Sequence, residues 1–312
     1  MSEPSPPPTG RQIEIAAGAH RATVVELGAT LRTYTVDGRD RIDGFGRDET
    51  STGSRGQVLM PWPNRIASGT YEFAGASHQL AITEPAKHNA IHGLVRDAKW
   101  QAAAVEADRV TMAHTLLPQP GYPFTLALEI EYAVSGAGLA VRASATNIGA
   151  AACPYGAGFH PYLRLDPEHI DPLVLRLPAS ASYRSDDDLI PITREAVAGT
   201  ELDFRHPRAI GATRMDTAFT ELERAADGRA TVSLLDPASG DRVALWCDES
   251  YGYLMIFTGD ALPDPERRRA GLAVEPMTCA PDAFRSGDGL VVLEPGASVS
   301  GSWGITASSR HE

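Results

Sequence analysis

Between residues 124 and 134 apolar and polar side chains alternate strictly: Phe124, Leu126, Leu128, Ile130, Tyr132 and Val134 occupy one set of positions, and Thr125, Ala127, Glu129, Glu131 and Ala133 the other. A period of two is that of a β-strand, whose successive side chains point to opposite faces, and an amphipathic helix does not fit it. Ser135-Gly136-Ala137-Gly138 then supplies a turn, and Leu139, Val141, Ala143 and Ala145 resume the alternation against Arg142, Ser144 and Thr146, which predicts a β-hairpin. Shorter runs of the same kind recur at 12–16, 22–27, 173–177, 230–235, 242–247, 253–258, 290–293 and 298–305, separated by Gly, Pro, Asp and Ser clusters. The 29 glycines and 23 prolines suit many tight connections and oppose long helices; only 265–269 reads as a short helical turn. With no fixed-period repeat and no linker between residues 15 and 305, the expectation is an all-β chain. It would form one large antiparallel β-sandwich domain over 12–308, with few short helices, after a flexible Pro-rich tail at 1–11.

Composition limits the partners. Hydrophobic residues at 43% and charged ones at 22% are enough for a sizeable core, and a net charge of -12 opposes general attraction to nucleic acid or an anionic membrane. No window approaches the roughly 18 apolar residues of a membrane span, and the N-terminus has no apolar core of signal-peptide length. Cys153, Cys247 and Cys279 have neither metal-type spacing nor an even count, so they read as buried thiols in a reducing, cytoplasmic setting. A small-molecule substrate is expected.

Five stretches combine rare polar residues with turn formers. In LAVEPMTCAPDAF, 272–284, an apolar run delivers Glu275 and Pro276 follows at once, so the strand is expected to stop at the acid; such a residue is either a base or a solvated strand-end acid. In GQVLMPWPNRIASGTYEF, 56–73, Asn64 and Arg65 sit on a proline-fixed loop, where Arg65 either meets vicinal hydroxyls or a carboxylate, or anchors a loop carbonyl. KHNAIHGLVRDAKW, 87–100, holds His88 and His92; Asn89 and Gly93 oppose the helix that a metal pair at that spacing needs, and no metal is expected. In PYGAGFHPYLRL, 154–165, His160 lies between Phe159 and Pro161, a setting for proton transfer or for a core histidine. In TRMDTAFTEL, 213–222, Asp216 either accepts from hydroxyls or caps a turn. No nucleophile elbow, phosphate loop or dinucleotide fingerprint occurs. Acids, histidines, arginine and aromatics on the loops of a β scaffold are the parts of a carbohydrate site.

Together these stretches resemble the aldose 1-epimerase (mutarotase) family: PNRIASGTYEF at 63–73, NAIHG at 89–93, GFHPYLRL at 158–165, MDTAF at 215–219 and VEPMTCAPDAF at 274–284 fall in the family's order, and the likeness runs from about residue 12 to 305. The resemblance implies a large β-supersandwich and cofactor-free interconversion of the α and β anomers of an aldose. It assigns Glu275 as the base that removes the anomeric hydroxyl proton and His160 as the acid that protonates the ring oxygen. His92 and Arg65, with Asn64 beside it, would hold hydroxyls or the ring oxygen, and Asp216 a further pair of hydroxyls. Ionised Glu275 and protonated His160 would stabilise each other, lowering the first pKa and raising the second.

After His92 the sequence departs from galactose-type members: Gly93-Leu94-Val95-Arg96 replaces a glycine-rich loop. A His-Gly-x-x-Arg arrangement looks more like relatives acting on hexose 6-phosphates or on sulfoquinovose, so Arg96 either clamps an anion or pairs with Asp97 as scaffold. The leading expectation is a neutral aldohexose. A sugar-binding module without turnover is a third reading, opposed by an intact acid–base pair. The expected state, monomer or homodimer, stays open.

Overall fold

The structure is a computed structural model and describes residues 6–308. Two large antiparallel sheets carry it. The first has nine strands in the order Gln101–Val105, Arg109–Leu116, Leu126–Ser135, Gly138–Asn147, Ser298–Ser308, Arg242–Cys247, Ala230–Leu235, Val174–Arg176 and Arg208–Ala209. The expected hairpin lies at its centre, with Ser135 paired to Gly138 across a two-residue turn. Leu126, Leu128, Ile130, Tyr132 and Val134 face inward, as do Leu139, Val141, Ala143 and Ala145, all at most 3% exposed. Gly138 has to be glycine: its φ is +122, and a Cβ would come within 2.3 Å of the Ile305 carbonyl oxygen.

The second sheet runs Pro191–Ala196, Ala179–Ser185, Asp216–Leu222, Tyr253–Phe257, Leu272–Met277, Gly158–Phe159 and Val58–Leu59, with Tyr162–Leu163 also paired to Leu272–Met277. Its inward residues, among them Phe219, Leu254, Ile256 and Val274, join the inward face of the first sheet in one hydrophobic cluster. Each such side chain contributes about 1.5–3 kcal/mol through removal from water. A four-stranded sheet, Gln12–Ala17, His20–Val25, Leu31–Val36 and Arg39–Asp40, adds Ile13, Ile15 and Val24 to the same cluster.

Among the described residues helix is confined to single turns: Pro265–Arg267, where the sequence places one, and Pro85–Lys87 and Ala283–Ser286, where it does not. No helix among the described residues is long and apolar enough to cross a membrane. Cys153, Cys247 and Cys279 are buried and free.

Two expectations need correction. Residues 1–5 of the proposed tail lie outside the described residues, but residues 7–11 are docked: Thr9 is 2% exposed, and the carbonyls of Thr9 and Arg11 accept from the Leu27 and Glu26 amides. Nor does the strand stop at Glu275. It runs Leu272–Met277, and Pro276 pairs with Leu254 inside it. The proline is tolerated because of what lies on its other side. Val274 donates its N–H to the Pro161 carbonyl at 3.1 Å. Alternation then turns the nitrogen of residue 276 to that same side, where Gly158 pairs with Met277, Tyr162 pairs with Ala273, and the ladder between them is broken.

Candidate active site

The break in the ladder is where the site is built. Met255 and Ala218 stand level with Glu275 across the sheet, and Asp216 stands level with Phe257; with a period of two, Glu275, Asp216 and Phe257 share the face turned away from the core. His160 enters from the interruption. Its N–H donates to the Gln57 carbonyl at 3.1 Å and its carbonyl accepts from Gly56 N–H at 2.9 Å, so the backbone is fixed on both sides. The His160 ring stacks on Tyr162 at 5.0 Å and 19°, and the Tyr162 hydroxyl donates to the Gly53 carbonyl at 2.8 Å. His160 Nε2 lies 3.2 Å from Glu275 Oε1.

A small two-stranded ladder, Arg65–Ala67 with Asn89–Ile91, joins the next two stretches and so sets His92 beside Asn64. His92 N–H donates to the Asn64 carbonyl at 2.9 Å, and Asn64 N–H donates to His92 Nδ1 at 3.3 Å. Asn64 and His92 both have positive φ, 55 and 64, and the following Gly93 leaves no room for a Cβ, which would come within 2.0 Å of the Met60 carbonyl oxygen. The Arg65 guanidinium is held bidentately by Glu84, Nε–Oε2 at 2.8 Å and Nη2–Oε1 at 2.9 Å, and its Nη2 lies 4.0 Å from Asp216 Oδ2.

Glu275, His160, Arg65, His92, Asp216, Asn64 and Arg96 all line one cleft of about 410 Å³. Arg96 does both things the sequence allowed: it borders the cleft and its Nε lies 3.6 Å from Asp97 Oδ2. His88 is exposed and stays outside. Glu84, Lys87 and Phe257 line the cleft without having been singled out. Glu84 carries no sequence signal beyond a position next to Pro85, and Phe257 is visible only as the end of an apolar strand.

A family profile described as aldose 1-epimerase matches residues 11–306. The chain belongs to the aldose 1-epimerase family. It is therefore an isomerase of the mutarotase type. It is 36% identical over 289 residues to the uncharacterised Escherichia coli K12 protein YihR, covering 92% of this chain and 90% of that one. Among solved structures, a GalM/aldose epimerase homologue from C. elegans superposes with a TM-score of 0.85 at 20% identity, over 96% of this chain and 99% of the other. The galactose 1-epimerase of Lactobacillus acidophilus NCFM does so at 0.79 and 19%, over 96% and 94%. These share the galactose mutarotase-like fold that the family resemblance implied.

In this epimerase, burial rather than mutual attraction sets the titration of the pair, opposite to the sequence expectation. Desolvation pushes Glu275 well above the usual carboxylate range, with the charge of Asp216 adding to it and Arg65 opposing it. Desolvation likewise pushes His160 down to about 3, aided by Arg55, Arg65 and Arg96, and it holds His92 well below the ordinary histidine range, together with His160 and Arg96. The pair thus holds one proton over a wide pH range. The kcat/KM of this epimerase is expected to keep its acidic limb far below the ordinary histidine range, toward pH 3, and its basic limb above the ordinary carboxylate range. A pH series of initial rates checks this, and an acidic limb centred at pH 6–7 contradicts it.

His92, His160 and Glu275 place one donor atom each within 4.8 Å of the others, the donor set of a transition-metal site. The hydrogen bond from Asn64 N–H argues for a different use. With Nδ1 accepting, the proton of neutral His92 is on Nε2, which becomes a donor and not a metal ligand.

Proposed function

We propose that the protein interconverts the α and β anomers of an aldohexose bound in this cleft, with Glu275 as base and His160 as acid. The observation that carries the reading is their contact, 3.2 Å between His160 Nε2 and Glu275 Oε1, between two buried groups at the wall of a polar cleft. Glu275 takes the proton of the anomeric hydroxyl. The O1 electrons form the carbonyl, the C1–O5 bond breaks, and O5 takes the proton of His160. Rotation about C1–C2 exposes the other face of the aldehyde, and reversal of both transfers closes the ring.

The pKa directions support these roles. A raised carboxyl is the stronger base and a lowered imidazole the stronger acid; burial rests the shared proton on Glu275, so ring opening starts from the tautomer with that proton on His160 and ends in the favoured state, neutral Glu275 and neutral His160. Each transfer is expected to supply on the order of 10²–10⁴-fold. His92 donates from Nε2 to a ring or hydroxyl oxygen, and Asn64 acts by fixing that tautomer. Arg65, steadied by Glu84, donates to hydroxyls, and Asp216 accepts from them. Phe257 and Tyr162 offer rings to the C–H faces.

Three cations, Arg65, Lys87 and Arg96, line the cleft with two acids, Glu84 and Asp216, and with the Glu275–His160 pair, which is neutral while it holds one proton. Arg65 is matched by Glu84 and Asp216, which suits a neutral hexose at the reacting end. Polarimetry of freshly dissolved α-glucose and α-galactose is the test; loss of rotation no faster than the spontaneous rate for both, and for hexose 6-phosphates and sulfonated hexoses as well, overturns the reading. An anionic hexose is favoured by one observation: Arg96 faces the cleft with only the exposed Asp97 near it, at 3.6 Å. If the anion is the preferred substrate, Arg96→Ala raises its KM by about tenfold or more, as loss of a charge-assisted contact does, with glucose turnover unchanged. Equal effects on both sugars exclude it.

A further inference from the structure

A separate cavity of about 140 Å³ lies against the inward face of the nine-stranded sheet and shares no lining residue with the sugar cleft. The sequence makes the space. Along the paired strands Gly138–Asn147 and Ser298–Ser308 the inward positions run Val141 opposite Trp303, Ala143 opposite Gly301 and Ala145 opposite Val299, so side-chain bulk falls away at the middle pair. Gly301 has no room to be larger: a Cβ there would come within 2.8 Å of Ser250 Cβ and 2.9 Å of Tyr251 Cε2. Tyr155, Ala157 and Thr278 supply further wall. Thr278 N–H donates to the Ala157 carbonyl and Ala157 N–H to Thr278 Oγ1, both at 2.9 Å, which fixes that side in place. Every lining residue is uncharged.

The tyrosines mark this cavity out. Tyr34, Tyr71, Tyr122, Tyr132, Tyr162 and Tyr183 are buried, and each hydroxyl has a partner: His20, the carbonyls of Gly121, Pro154, Ala29 and Gly53, and Asp288 respectively. Tyr155 and Tyr251, 2% and 1% exposed, are the two buried tyrosines whose hydroxyls have no partner among the described residues, and both line the cavity. A buried hydroxyl normally finds a partner, because losing water without a replacement is costly. Burial pushes both phenols above the ordinary tyrosine range, so each keeps its proton and is able to donate.

We propose that this cavity is a second ligand site, and that its ligand is a small uncharged ring compound bearing one hydroxyl, of the size of phenol, hydrogen-bonded to Tyr155 and Tyr251. The volume fits, since an apolar cavity of about 150 Å³ takes up benzene. Ala143, Ala157, Val291 and Val299 suit the apolar body of such a ligand, and the two tyrosine hydroxyls suit its single polar group. Uncharged walls disfavour an ion, and a hexose, with a hydroxyl on almost every carbon, is too polar for them.

The test is isothermal titration calorimetry with phenol and with toluene on the wild type, on Tyr155→Phe/Tyr251→Phe and on Val299→Trp, whose indole fills the cavity. The wild type is expected to bind phenol with a Kd of about 1 mM or tighter. The tyrosine pair is expected to lower phenol affinity about fivefold or more and to leave toluene bound no more weakly, since only the hydroxyl contacts go. Val299→Trp is expected to lose both ligands. Thermal melting shows that each variant is folded, and the tyrosine pair decides alone if Val299→Trp is not. No saturable phenol binding below about 10 mM, wild-type phenol affinity in a folded variant, or equal losses of phenol and toluene in the tyrosine pair overturns the proposal. So does a crystal soaked in phenol that shows only ordered water at the two hydroxyls.

Discussion

Glu275→Gln lowers kcat for catalysed mutarotation by on the order of 10²–10⁴-fold, down toward the spontaneous rate, with little change in KM. The amide keeps the volume and a hydrogen-bonding oxygen next to His160, but it cannot take the anomeric proton. Polarimetry on the wild type and the variant reads the effect; a variant retaining wild-type kcat removes Glu275 as the base. Folding is expected to survive and to gain. A buried carboxyl whose folded pKa lies above its unfolded value, about 4.3, weakens the fold progressively as pH rises past that value. The melting temperature of Glu275→Gln should therefore exceed that of the wild type at pH 8, and the gap should close near pH 4. The enzyme would then be keeping its base at the expense of stability.

Asp43→Ala is expected to destabilise the protein by about 3–5 kcal/mol, because it strips a buried cation of its partner. Asp43 receives Arg55 Nε at 2.9 Å, Arg164 Nη1 at 3.2 Å and Arg267 Nη1 at 2.9 Å, and the Asp43 and Arg55 side chains are each 2% exposed. Arg55 also lies over the Tyr162 ring at 4.8 Å, on which His160 stacks. Loss of activity should accompany loss of stability, since the support under His160 goes with it. Urea denaturation measures the first; a change within about 1 kcal/mol of wild type means the three arginines find other partners or water, and the cluster is then not what holds these loops.

Neither Asp43 nor Arg55 stands out in the sequence, and the reason is physical. A period-two pattern reports which face of a strand is dry, so it located the central hairpin and eight other strands, most of them to within two residues; many of the strands it missed are only two to four residues long. The seven residues that meet in one cleft were legible by another route, since each sits in a short stretch unusual in itself and the stretches together carry the family likeness. Glu84 is an ordinary loop acid until a ladder between 65–67 and 89–91 brings it onto Arg65. Pro276 reads as a strand end because its effect depends on a neighbour 115 residues earlier, Pro161, whose segment leaves the ladder at that level. The pKa directions reversed for a similar cause: charge proximity can be inferred from residue types, whereas exclusion of water is a property of the assembled walls.

The strand Ser298–Ser308 lies in the middle of the nine-stranded sheet, between Gly138–Asn147 and Arg242–Cys247. On a ribosome this is the last described strand to emerge, so the sheet waits with two facing edges open until it arrives. Contacts of such long sequence separation are slow to close, and open edges are where chains pair wrongly. A chain halted before residue 298 carries Glu275, His160 and every other cleft residue without a completed nine-stranded sheet behind them.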